Sequence, residues 1–108
     1  MSIVINLYYT GANGSALAFA REMEESGIAA FIRAEEGNEG YRYFRCLDDP
    51  ETVLLIDRWR DQAALDAHHA SPAMARLAAL RDKYDLHMRA ERFTPEEAPN
   101  PDAAFLRK

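Results

Sequence analysis

Glu51-Thr-Val-Leu-Leu-Ile-Asp-Arg-Trp-Arg60 reads as a β-strand, and it is apolar on both sides. Its β-branched and aromatic residues favour extended backbone. Successive side chains on a strand point to opposite faces, so Val53 and Leu55 go one way and Leu54 and Ile56 the other. A sheet with one face in water alternates apolar and polar residues along each strand. This strand does not. Each large aliphatic left in water forgoes roughly 1.5–3 kcal/mol of burial, so both faces of the sheet require cover.

Working outward, Tyr41 to Leu47 is a second strand, joined to Glu51–Arg60 by an Asp48-Asp-Pro50 turn and hairpinned antiparallel to it. Residues 3–9, Ile-Val-Ile-Asn-Leu-Tyr-Tyr, form the first strand. A loop from Thr10 follows, with Ser15 as candidate N-cap. From Ala16 to about Glu36, the spacing of Leu17, Ala20, Met23, Gly27, Ala30, Phe31 and Ala34 predicts a helix. Gly27 costs about 1 kcal/mol there, so a bend or break is expected at Ser26-Gly27, and Gly37-Asn-Glu-Gly40 ends the helix. Downstream, Asp61 caps a short helix running through His69. Ser71 and Pro72 start another, to about Asp82, and Tyr84 to Phe93 is a fourth strand. Residues 94–108 hold three of the five prolines and read as an extended tail whose Phe105 and Leu106 are free to dock on a partner subunit.

This order gives an α+β, ferredoxin-like βαββαβ unit over residues 1–93, a four-stranded antiparallel sheet with helices on one face. The doubly apolar strand predicts that the other face packs on a second copy, sheet on sheet, as a homodimer.

Composition narrows the function classes. The 108 residues are 48% hydrophobic and 29% charged, as expected of one globular domain. A formal net charge of −5 argues against nucleic acid and against anionic membrane surfaces. Cys46 is the single cysteine, so no internal disulfide forms. The N-terminus lacks the pattern of a signal peptide, and no uninterrupted apolar run exceeds five residues, so a cytoplasmic location is the expectation. His68 and His69 are adjacent and diverge on a helix, His87 stands apart, and no cysteine cluster exists, so no metal is expected. Gly-Ala-Asn-Gly is neither a phosphate loop nor a dinucleotide fingerprint.

Parity selects the candidate site. Asp57 and Trp59 share a face with Val53 and Leu55; Tyr41, Tyr43 and Arg45 share one face of the second strand, opposite Arg42, Phe44 and Cys46. On the short helix, Ala64 and Leu65 look inward and His68 follows them at i+4 and i+3, with His69 nearer the rim. Trp59, Tyr41 and His68 can therefore enclose a space between sheet and helices, with His68 the titratable group. Asn6 lies among apolar neighbours, opposite in parity to Ile5 and Leu7. Each has a plain structural use as well: core filling for Trp59, helix-dipole stabilisation for His68 and His69, satisfaction of a backbone group for Asn6.

Glu36-Gly37-Asn-Glu-Gly-Tyr41, Asp48-Asp-Pro50, Leu55-Ile-Asp-Arg-Trp59 and Ala64-Leu-Asp-Ala-His68-His-Ala-Ser-Pro72 together resemble the antibiotic biosynthesis monooxygenase domain, over about residues 1–93. That pattern runs Gly-x-x-x-Tyr, Glu-Arg-Trp, Ala-Leu-x-x-His-x-x-Ser-Pro. Here Asp57 stands where the family has Glu, and His69 replaces a more typical apolar residue. The resemblance implies a dimeric α+β barrel and cofactor-independent oxygenation of a quinol or polycyclic phenol by molecular oxygen. Within it, His68 is the expected base, Tyr41 and Asn6 hydrogen-bond substrate oxygens, and Trp59 walls the site. A non-catalytic dimeric module that binds a small aromatic is the alternative. A heme-degrading branch of the same fold is a weaker fit. Asn6 suits it, but the position of its iron-ligating histidine falls at Ala78 in Arg76-Leu-Ala-Ala-Leu80.

Overall fold

The computed structural model describes residues 1–96 and 99–108. Strand β1 (Ile3–Thr10) leads into helices α1 (Ser15–Glu25) and α2 (Ile28–Arg33), then the hairpin β2 (Asn38–Cys46) and β3 (Asp49–Trp59). Helices α3 (Gln62–His69) and α4 (Ala73–Lys83) precede β4 (His87–Phe93), and a single 3₁₀ turn, Ala103–Phe105, lies in the C-terminal segment. The sheet is antiparallel throughout in the order β2-β3-β1-β4, the ferredoxin-like arrangement expected. Among the described residues, no helix is long and apolar enough to cross a membrane.

The expected long helix breaks at Ser26-Gly27, and α2 starts after Gly27, whose φ of 85° is left-handed. The second strand begins at Asn38 rather than Tyr41, because Gly37 turns the chain and a bulge between Asn38 and Gly40 admits the glycine into the ladder. Asp61 caps α3 as read, its carboxylate accepting the Ala64 N–H at 2.9 Å. Two expected caps are not made by their side chains. Ser15 instead accepts the Ala12 N–H at 3.0 Å and closes the loop before α1, while Ser71 Oγ is buried without a partner. The fourth strand begins at His87, not Tyr84, because Tyr84 terminates α4 and Asp85 turns the chain at φ 48°.

The helices cover the sheet face that carries Ile5, Leu7 and Tyr9 of β1 and Val53, Leu55, Asp57 and Trp59 of β3. Tyr9, Phe19, Met23, Ile32, Leu55 and Leu65 are sealed there. Phe19 of α1 ties the layers together, with ring centroids 4.9 Å from Tyr9 and 6.0 Å from Tyr43. The opposite face carries Val4, Asn6, Tyr8, Phe44, Leu54 and Ile56, all only half-buried in the single chain.

Gly37 holds the α2–β2 turn against α3. Its φ is +83°, and a Cβ there would stand 2.4 Å from the Ala64 Cβ of α3. Its carbonyl accepts the Arg60 N–H at 2.8 Å. Both contacts seat the turn directly beneath the helix. Gly37→Ala is expected to lower stability by about 2–4 kcal/mol, from backbone strain plus overpacking. Gly27→Ala, with a similar φ but nothing within 4 Å of the added carbon, loses about 1 kcal/mol. Urea unfolding of the two variants checks this; equal losses would show that the approach to Ala64 is not limiting.

Candidate functional site

β3 ends under α3, and this meeting builds the site. His68, in the last turn of α3, is 3% exposed and stacks on Trp59, with centroids 4.6 Å apart and planes inclined by 25°. Its Nδ1 lies 3.0 Å from Glu35 Oε1, just beyond α2. Where the Glu35 carboxylate accepts, Nδ1–H is the donor, and Nε2 is the ring nitrogen left for other contacts. Indole on one face and carboxylate on one edge fix both the plane and the tautomer of the ring.

Beside His68 lies a cavity of about 290 Å³ between the sheet and the α3–α4 pair. Half of its lining residues are aliphatic, including Ile5, Leu7, Leu55, Met74 and Leu77; the other half are Tyr9, Tyr41, Asp57, His68, His69 and Arg81. Glu35 does not line it, which leaves Nε2 as the histidine nitrogen available to an occupant.

Asp57 is 4% exposed, and burial pushes its carboxyl from 3.8 up to about 6, with nearby His68 pulling the other way. The Trp59 indole N–H also favours the carboxylate, yet no bond of acceptable geometry joins the two. Asp57 Oδ1 and Trp59 Nε1 are both buried and unpartnered. Burial also raises the Tyr41 phenol far above its ordinary value, and its hydroxyl shares a 2.8 Å hydrogen bond with Tyr43. Burial lowers His69, and neighbouring His68 adds to the effect. Arg81 Nη2 donates to the Tyr9 hydroxyl at 2.9 Å.

Of the residues predicted from sequence, His68 and Tyr41 meet at the cavity. Trp59 does not wall it. The indole is wholly buried behind His68 and acts as a platform for the imidazole rather than as a surface for a ligand. Asn6 is on the wrong side of the sheet, where it pairs with Ile56 on the face without helices. Strand parity forbids it from joining Ile5 and Leu7 at the cavity. Four lining or supporting residues were not singled out: Glu35, Tyr9, Asp57 as a cavity group, and Arg81. Asp57 shares parity with Trp59, and Arg81 follows Leu77 at i+4, so both carried a signal; Glu35 had none, because the break at Gly27 resets the helical phase.

The family model for antibiotic biosynthesis monooxygenase matches residues 1–80 of the 108. The chain belongs to the antibiotic biosynthesis monooxygenase family. YcnE of Bacillus subtilis, provisionally named a monooxygenase, is 33% identical over 46 residues, 43% of this chain. The match spans 48% of that relative, about half its length. Solved structures share the antibiotic biosynthesis monooxygenase fold along nearly the whole chain. SnoaB, a cofactor-independent oxygenase from Streptomyces nogalater, superposes with a TM-score of 0.74 at 17% identity, covering 91% of this chain and 96% of SnoaB. A Deinococcus radiodurans protein provisionally described as an antibiotic biosynthesis monooxygenase reaches 0.77 at 18% identity, with 91% and 96% coverage. PA3566 from Pseudomonas aeruginosa gives 0.74 at 25% identity, with 88% and 94% coverage.

The Asp57 shift has a direction that stability measurements read. Its carboxyl holds a proton more tightly folded than unfolded, so its contribution is full below pH 4 and is lost as pH rises through about 6. Asp57→Asn should remove this slope and gain about 1–3 kcal/mol over the wild type at pH 7.5 relative to pH 4. Urea unfolding across that range measures it, and parallel pH profiles for the two proteins would contradict the assignment.

Proposed function

We propose that the protein is a cofactor-independent monooxygenase of a quinol or polycyclic phenol, acting as a cytoplasmic homodimer with residues 1–93 as the functional unit and 94–108 as a tail. The observation that carries this reading is the Glu35–His68 pair at the edge of a cavity lined half by aliphatic residues and half by aromatic and charged ones. Dioxygen is a triplet, so without a metal or flavin the electrons come from the substrate, most readily from its anion. His68 Nε2 takes the proton, Glu35 stabilises the imidazolium, and the apolar walls exclude water and hold the ring. The substrate anion passes an electron to oxygen, and recombination gives a peroxide. The imidazolium then returns its proton as water leaves. In the keto tautomer of the phenol the reacting ring carbon is a methylene; its oxidation to a carbonyl releases four electrons and two hydrogens, which is what dioxygen needs to become one carbonyl oxygen and one water.

Tyr41 stands at the cavity as a hydrogen-bonding group whose hydroxyl is shared with Tyr43. The second reading, a binding module for a small aromatic, is favoured by that shared hydroxyl and by the withdrawal of Trp59, since both leave fewer groups for chemistry. Heme degradation loses further support, because Asn6 lies on the far face and Ala78 offers no ligand. Oxygen uptake with quinols and anthrones separates the first two readings. With an active substrate, His68→Ala should reduce turnover by roughly 10²–10⁴-fold, and Glu35→Gln by a smaller factor. Unchanged turnover in His68→Ala would remove His68 as the base; binding without any oxygen uptake would favour the module.

The homodimer reading rests on the half-buried Phe44, Leu54 and Ile56 of the face without helices. Phe105 and Leu106 of the tail, 87% and 56% exposed, fit the same reading as partner-docking residues. The wild type should sediment as a dimer at micromolar concentration, and Ile56→Arg, which buries a charge in that interface, should sediment as a monomer. A monomeric wild type would overturn the reading.

A further inference from the structure

Arg81 lines the cavity but has no counterion. Among the described residues, no carboxylate lies within ion-pair distance of its guanidinium. Nη2 donates to Tyr9, and the guanidinium lies 5.5 Å from the centroid of that ring. Its Nε–H is buried and unpartnered. An arginine in the last turn of a helix serves the helix dipole well enough from solvent. Arg81 is instead folded inward, and a buried donor without an acceptor costs about 1–3 kcal/mol. A buried donor without a partner calls for an explanation, and an acceptor brought by a ligand is one.

We propose that Arg81 is the anchor for a carboxylate on the substrate, so that the substrate class is an aromatic acid: a hydroxylated fused ring bearing one carboxylate. This rests on the cavity being the substrate site. A guanidinium offers two parallel N–H donors that match the two oxygens of a carboxylate. One guanidinium, in a cavity that also holds the Asp57 carboxyl, matches a monoanion better than a phosphate dianion. The other charged and titratable groups facing the space are His68, His69 and Asp57, together with the phenols of Tyr9 and Tyr41. Asp57 belongs to the β3 end of the cavity beside His68, and Arg81 to the α4 wall beside Tyr9. The anion therefore sits at the arginine end and leaves the ring hydroxyl for His68. The aliphatic walls between them fit a flat apolar ring.

The test uses 1,4-dihydroxy-2-naphthoic acid and its carboxamide, a pair of nearly equal shape that differs in charge. Binding is measured anaerobically by calorimetry on the full chain. The wild type should bind the acid at least about tenfold more tightly than the amide. In Arg81→Gln that ratio should fall to within about twofold, and in Arg81→Lys, which keeps the charge but loses the fork, it should lie between. Equal affinities in the wild type, no binding of either compound, or a preference that survives Arg81→Gln would each overturn the anchor. Oxygen uptake with the same pair, corrected for autoxidation, separates this from the oxygenase reading. Acid-selective binding without uptake leaves the anchor standing and removes the oxygenase. Equal binding with uptake does the reverse.

Discussion

β3 is hydrogen-bonded along both edges, to β2 and to β1, so its side chains set what each face of the sheet must do. Its helix-facing row runs Val53, Leu55, Asp57, Trp59. The first two members are ordinary core. The last two continue the same row into a region where α3 crosses, and there the row delivers an acid and an indole into a sealed layer. Period-two geometry permits nothing else: a strand that buries Leu55 buries Asp57 as well. The raised pKa of Asp57 and the support of His68 both derive from that alternation.

Buried polar atoms without partners are few in folded proteins, because each forgoes its hydrogen bonds to water. Among the described residues, four side chains hold such atoms: Asp57, Trp59, Ser71 and Arg81. Two of the four line the cavity, and Trp59 is stacked against His68, which lines it too. Ser71 is the outlier, sitting in the tight corner between α3 and α4, where the backbone rather than the hydroxyl makes the turn. At about 1–3 kcal/mol each, the cluster around one space is a local destabilisation held in place by the surrounding core.

The fold was legible because it depends on periodicity and on strong breakers. The β-branched run at 51–60 forms its strand, the glycine at 27 breaks the helix and the aspartate at 61 caps the next one, each acting locally. The site was half legible. His68 and Tyr41 reach the cavity because helix phase and strand parity are short-range rules. Trp59 obeys the same rules yet was given the wrong role, since parity says which face a ring takes but not whether a ligand or a histidine covers it. Asn6 was legible as well, since its parity sets it against Ile5 and Leu7 and so on the face without helices. Glu35 reaches His68 across 33 positions of sequence. Its placement depends on two left-handed glycines, at 27 and 37, which rotate α2 and then drop the chain under α3. No local pattern encodes such a contact.

The adjacent histidines also acquire different work from their surroundings. Their rings are 5.6 Å apart, close enough that a charge on one disfavours a charge on the other. Burial and the neighbouring ring both lower His69, which is otherwise exposed at the rim. His68 alone has a carboxylate at its Nδ1 and an indole beneath its plane. The two rings therefore differ in restraint: His68 is clamped between a carboxylate and an indole, and among the described residues His69 has neither contact. Position 69 thus adds a second imidazole at the cavity without disturbing the contacts that Glu35 and Trp59 make with His68.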